Sequence, residues 1–219
     1  MMALAQVKIL SEKWFGPIPA GKPYLRNLPQ EPLQKEARRI ETNAEVPLDA
    51  FYKAWHMPGR TSADYFTIDL MGDILGRGKS SRLYEKLVND KKIFNNISAY
   101  ATGSVEPGLI MIDGKLNQGI RLEDAEGEVM QVLEELKKGV QETELAKVKN
   151  QAEAILVFEE VELLNRCMNL AMAAELGDPD LVNKDSEKIQ AVRMEDMQRV
   201  AAQIFKEENS STMFYYGKK

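Results

Sequence analysis

Apolar residues recur along this chain at two spacings, and the switches between them outline the fold. Leu4, Val7, Ile9, Leu10 and Trp14 fall near the 3.6-residue period of an amphipathic helix over residues 3–15. Gly16-Pro17-Ile18-Pro19 ends it. From Gly16 to about Lys35 periodicity vanishes while Pro17, Pro19, Pro23, Pro29 and Pro32 follow one another. Proline at that density predicts an extended, semi-rigid connector of roughly 3.1 Å per residue, about 60 Å in all. A connector of that reach joins two bodies. Only one sizeable body follows it, so the expected partner lies upstream.

Beyond the connector the period falls to two. Residues 36–42 and 49–57 read as strands, the second setting Phe51, Lys53, Trp55 and Met57 against Ala50, Tyr52, Ala54 and His56. Pro58-Gly59 closes it, and Thr61 or Ser62 can cap a helix through Tyr65, Phe66, Ile68, Leu70, Met71, Ile74 and Leu75. Gly76 to Gly78 breaks that helix, and Ser80-Ser81 opens another through Leu83, Tyr84, Leu87 and Val88. Strands follow over 94–102 and 109–116, with Glu106-Pro107-Gly108 turning between them. Helices are expected over 122–138, in one long run from Thr143 to about Leu176, and over 181–189 and 194–205, before a last strand at 211–216. The strands come mostly in adjacent pairs. An α+β fold is therefore favoured, an antiparallel sheet with helices packed on one face.

Composition narrows the function classes. With 219 residues, 44% hydrophobic and 29% charged, the chain can bury a substantial core. Its net charge of -5 and lack of any basic stripe speak against nucleic acid as a partner. No apolar run approaches the roughly 20 residues of a membrane span, and Met1-Met2-Ala3-Leu4 lacks the features of a signal peptide. The single cysteine, Cys167, excludes an intrachain disulfide and leaves the compartment open, bacterial cytoplasm or periplasm. Lying among Leu163, Leu164, Met168 and Ala171, it is expected to be a small buried hydrophobe.

Catalytic chemistry finds little to work with. A zinc hydrolase needs three protein ligands and an open position for water, but the chain has one histidine, His56, and one cysteine, in unlike elements. No Gly-x-Ser-x-Gly elbow accompanies His56. Gly76-Arg77-Gly78-Lys79-Ser80-Ser81 carries the end of a phosphate-binding loop, but Asp73 stands where its first glycine belongs, and the segment follows a helix rather than a strand. The glutamates of 123–135 and 153–162 have the spacing of solvated helix faces. No catalytic residue and no metal ligand is assigned.

Particular strings carry a resemblance. Trp14-Phe15-Gly16-Pro17-Ile18-Pro19 with the prolines after it is similar to the end of the N-terminal domain in pitrilysin-type zinc peptidases, the family of insulysin and the mitochondrial processing peptidase. Trp55-His56-Met57-Pro58-Gly59, then Asp64-Tyr65 and Ile68, resembles that family's strand, x-His-x-Pro-Gly, helix passage. Leu75-Gly76-Arg77-Gly78-Lys79-Ser80-Ser81-Arg82-Leu83-Tyr84 resembles its Leu-Gly-Gly-Gly-x-Ser-Ser-Arg-Leu-Tyr/Phe junction, the most specific of the three. The resemblance implies a protein of two homologous α+β halves around a chamber. Zinc would sit on a His-x-x-Glu-His motif in the N-terminal half, and that motif does not occur here. This chain would be the non-catalytic C-terminal half, divided into a terminal helix of the preceding domain (1–15), a linker (16–35) and the domain proper (36–219). It would hold no cofactor of its own. Its partners would be the zinc-binding half, in the same chain or as a separate subunit, which Tyr24 and Leu25 of the linker would touch, and a peptide substrate. The alternative is an inactive structural or interaction subunit of the same superfamily. Family members present an Arg and, seven residues later, a Tyr to the substrate backbone. The alignment puts Val88 and Asn95 at those substrate-binding places, so both donors are lost.

Overall fold

The computed structural model describes residues 4–22, 29 and 31–217. They fall into two units that divide between Leu33 and Gln34. The first contains α1 (Leu4–Phe15), in which no residue is buried. Tyr24 and Leu25, expected as contacts of a partner half, lie outside the described residues.

The second unit runs β1 (Arg38–Ala44), β2 (Ala50–Met57), α2 (Tyr65–Gly76), a π-helical turn (Tyr84–Asp90), β3 (Phe94–Ala101), β4 (Gly108–Leu116), α3 (Leu122–Lys138), α4 (Glu142–Glu159), α5 (Leu163–Glu175), α6 (Leu181–Ala191), α7 (Met194–Ile204) and β5 (Ser210–Gly217). The strands form one sheet in the order β1-β5-β2-β4-β3. The β3–β4 and β2–β4 pairs are antiparallel, as adjacent strands predict. The end of the chain changes the rest. β5 slots between β1 and β2, antiparallel to β2 and parallel to β1. Alternation tells which face a residue takes, not which strand lies beside it, so this insertion leaves no mark in the local pattern.

Alternation does decide the core. Phe51, Trp55 and Met57 of β2, Ile110 and Ile112 of β4 and Phe214 of β5 are buried on the face that receives the helices. Trp55 meets Phe205 edge-on with centroids 5.0 Å apart, and Phe51 stands between Phe94 and Phe214. α3 contributes Leu122, Ala125, Val129, Val132, Leu133 and Leu136, the i, i+3, i+4, i+7 stripe of an amphipathic helix. α2 lies so close on β3 that a Cβ at Gly76 would collide with the backbone of Ala99. Within this packed layer Lys53 is buried, and its ammonium reaches Glu126 of α3 at 2.7 Å and the Thr212 hydroxyl at 2.7 Å. Arg39 completes the pairing of Glu126 from β1.

Three local expectations are corrected. The long helix expected from Thr143 to Leu176 is broken at Glu160–Glu162, separating α4 from α5. Glu159, Glu160 and Glu162 crowd like charge around Val161, whose branched side chain favours helix weakly. α4 also starts one residue earlier than expected, and Glu144 then accepts from the Gln141 amide at 2.9 Å, the reciprocal half of a capping box. At α2 the N-cap position falls on Asp64 rather than Thr61 or Ser62; its side chain makes no capping bond, and its own amide donates to the Ser62 hydroxyl at 3.3 Å.

Candidate functional site

The helices gather on one face of the sheet, so the opposite face is the broad surface left for a ligand. Residues directly opposite on neighbouring strands share a face. Register therefore assembles this surface in rows. One runs Ile40, Met213, Tyr52, Asp113, Ser98 across all five strands; the next runs Arg38, Ser211, Ala54, Met111, Tyr100. His56 lies beyond them, opposite Leu109. Most of these side chains are half-exposed, whereas their helix-facing neighbours Phe51 and Trp55 are completely buried.

The surface mixes donors with adaptable apolar groups. The Ser98 hydroxyl bonds Asp113 at 3.0 Å. Desolvation, then the nearby Asp113 and Tyr52, push the Tyr100 hydroxyl above the usual tyrosine range, so it stays protonated and able to donate. Met111 and Met213 add unbranched, polarisable side chains that conform to varied partners.

Metal and nucleophilic chemistry are poorly served. His56 sits in β2 and Cys167 in α5. Among the described residues no group of three or more His, Cys, Asp or Glu is arranged to hold a metal ion. The donor set does not fit zinc. Asp69 and Asp73 of α2 have carboxyls raised above their ordinary range, mainly by burial, but Asp73 is closed off by Arg77 at 2.5 Å. A cleft between the start of α2 and α6–α7 carries Arg60, Lys188 and Arg199. Each of these cations faces an aspartate: Arg199 bonds Asp64 and Asp196, while Arg60 and Lys188 face Asp185.

The junction that resembles a phosphate loop is a structural clamp. Gly78 takes φ +78, a conformation glycine adopts freely, and the buried Ser81 returns its hydroxyl to the Gly78 carbonyl at 2.8 Å. Arg82 then grips Glu144 of α4 with two bonds of 2.7 and 2.6 Å and reaches the Gly139 carbonyl. Lys147 ties Ser80 to the same helix. The Arg82 bond leads the causes that hold the Glu144 carboxyl below its ordinary range.

Val88 belongs to the π-helical turn and is half-buried against the core. Asn95 is exposed, at an irregularity where Phe94 opposes Leu116 and Asn96 already opposes Lys115. Extra residues of this kind bend a strand and re-aim a side chain.

A family model described as "Peptidase M16 inactive domain" matches residues 2–152. The chain belongs to that family. It is similar to the zinc protease PqqE of Helicobacter pylori (strain ATCC 700392 / 26695), 24% identical over 201 residues covering 88% of this chain and 43% of the relative. It is also similar to YmxG of Bacillus subtilis (strain 168), described as an uncharacterized zinc protease, 25% identical over 90% of this chain and 48% of the relative. Among solved structures, that of a protease from Helicobacter pylori superposes with a TM-score of 0.91 at 23% identity, covering 98% of this chain and 53% of that one. The chain thus spans under half the length of both named relatives. It is an inactive M16 peptidase domain of the zinc protease family, and its mixed α/β fold is that of the family's solved inactive domains.

Two features escaped the sequence reading. Cys167 is exposed, not buried. α5 around it has Ala173 as its only buried residue. The signal lay in Asn165 and Asn169, four residues apart: these uncharged polar side chains of α5 turn inward with Ala173. The bare sheet face was legible as alternation, but only the cross-strand register gathers Tyr52, Asp113 and Tyr100 into one surface.

Proposed function

We propose that this chain is the peptide-holding, non-catalytic half of a zinc endopeptidase, its bare sheet face forming one wall of the substrate chamber. The observation that carries this reading is the asymmetric sheet, packed with helices on one side and lined on the other by Tyr52, Ser98, Tyr100, Met111 and Met213. Hydroxyl donors beside polarisable apolar groups suit the carbonyls and varied side chains of an extended peptide. The zinc, and the Glu that activates its water, belong in this reading to the N-terminal half. α1 is the last helix of that half, the proline-rich stretch up to about residue 35 the connector, and residues 36–219 the domain proper. Val88 and Asn95 stand at the places from which an Arg and a Tyr would reach the substrate backbone.

The test is peptide cleavage by the zinc-binding half combined with this chain carrying Tyr52→Ala and Tyr100→Ala. A raised KM with unchanged zinc content supports the wall. Unaltered kcat and KM would remove this face from the chamber. A second reading, an inactive subunit that serves assembly alone, is favoured by the apolar exposure of α5. An intact His-x-x-Glu-His in the partner half argues for the peptidase, a degenerate one for the assembly role.

A further inference from the structure

A helix normally turns its apolar stripe inward. α5 does the reverse. Asn165, Asn169 and Ala173, spaced by four, face the body of the domain, while Leu163, Leu164, Met168, Leu170 and Met172 are exposed. The chain leading into α5 is exposed as well: Val157 and Phe158 at the end of α4 and Val161 in the turn are 68%, 73% and 78% exposed. Isolated apolar residues on a surface are ordinary, but a contiguous group of this size marks an interaction site. The break between α4 and α5 is itself part of it, since Val161 occupies the turn between Glu160 and Glu162.

The rim says what the occupant is. From Glu153 to Glu175 the chain carries five glutamates, at 153, 159, 160, 162 and 175, against the single Arg166. A second copy meeting this face with its own would set those glutamates against one another. An anionic membrane surface would be repelled in the same way. An occupant with an apolar centre and cations around it is complementary. The relatives supply a body for the role. They are about twice as long as this chain, and this fold is retained at a TM-score of 0.91 within one of the longer chains.

We infer that the outward face of α5 and the end of α4 is the seat of the zinc-binding half, which meets it with an apolar patch rimmed by Lys or Arg. The inference rests on the proposed function for the existence of that half, and adds where it docks and with what charge. A connector between the two bodies makes their docking intramolecular, which lowers the area a stable contact needs.

The single cysteine provides the readout. Cys167 is exposed on α5 and is the chain's only thiol, so its alkylation rate reports whether the face is covered. This chain is mixed with the zinc-binding half of the same peptidase, and the Kd, the alkylation rate of Cys167 and the salt dependence of binding are measured. Expected are at least tenfold slower alkylation on binding, weaker binding as salt screens the rim, and a loss of about tenfold or more in affinity for Phe158→Glu with Leu164→Glu, as for buried anchors. Both substituted residues are exposed, so the variant should keep the wild-type melting temperature. Undiminished binding by the variant, or an unprotected Cys167 in the complex, would overturn the site while leaving the two-half reading intact. Absence of any binding by the wild-type chain would strike the proposed function itself. Concentration-dependent dimerisation abolished by the same variant would give the face to a second copy, and co-sedimentation with phosphatidylglycerol vesicles would give it to a membrane; either result overturns the inference.

Discussion

Lys53 is the most constrained single residue of the domain. Its buried ammonium is charge-balanced by Glu126 of α3, donates to the Thr212 hydroxyl of β5 and stands over the Trp55 ring. Burial raises the Glu126 carboxyl, but Lys53 and Arg39 more than offset this and leave it below its ordinary value. A folded-state value below the unfolded one contributes stability that is full above the unfolded carboxylate range and lost as pH falls through the folded value. Acid titration of the melting temperature should therefore show a Glu126-dependent fall beginning below about pH 4.5. Glu126→Ala should remove that limb and cost about 3 kcal/mol at neutral pH, because it strands a buried cation. An unchanged melting temperature at neutral pH would show that Lys53 finds other partners. Arg82 is a second such residue, and at its position the family resemblance and the structure meet. Arg82→Ala should cost about 1.5–3 kcal/mol, the worth of its paired bonds to the Glu144 carboxylate, with peptide affinity at the sheet face unchanged. Lost affinity at full stability would move the Ser-Ser-Arg junction from scaffold to site. Val88 and Asn95 take the opposite test. Val88→Arg with Asn95→Tyr supplies two donors to a peptide carbonyl or to the oxyanion formed on attack, and one such donor is typically worth a hundredfold or more in rate. Higher turnover in the reassembled protein is expected. A melting temperature lowered in line with about 1–3 kcal/mol of overpacking, with unaltered kinetics, would take both positions out of the chamber.

Among the elements, α2 and β3 show how tightly one helix can be laid on an edge strand. Gly72 and Gly76, one turn apart, let the helix backbone rest against Ala99 and Tyr100. Gly76→Ala should separate the two or distort the strand, at a cost of about 1–3 kcal/mol. Thermal unfolding checks this; a cost below about half a kcal/mol would mean the helix end moves freely. Elements with a clean period were legible in the sequence. The alternation of β2 reappears as two faces, and the helix expected over 122–138 forms over those bounds, because burial on one side is the force that selects both. What was hidden obeys other forces. The parallel β1–β5 pair is decided by where a distant strand inserts. The break before α5 depends on local charge crowding within an apolar run. An apolar helix is expected to face its own core, which would bury Cys167, but α5 turns the other way. One His and one Cys were legible at once, yet the surface on the open side of the sheet became visible only through register.

At the scale of the whole domain, the sheet has one packed and one open face, the apolar side of α5 looks outward, and the described donor set is unsuited to zinc. Two half-finished surfaces on one domain make sense if both are completed elsewhere, the sheet by peptide and α5 by the zinc-binding half. Metal analysis of the purified chain after dialysis against trace zinc is expected to find far less than one zinc per chain. Stoichiometric, tightly held metal would refute the assignment of zinc to the other half. The most direct measurement is peptide cleavage by the zinc-binding half titrated with this chain. Cleavage that is absent in each half alone and saturates near one equivalent of this chain is the predicted result. Full activity of the zinc-binding half by itself, unchanged on addition of this chain, would contradict the account.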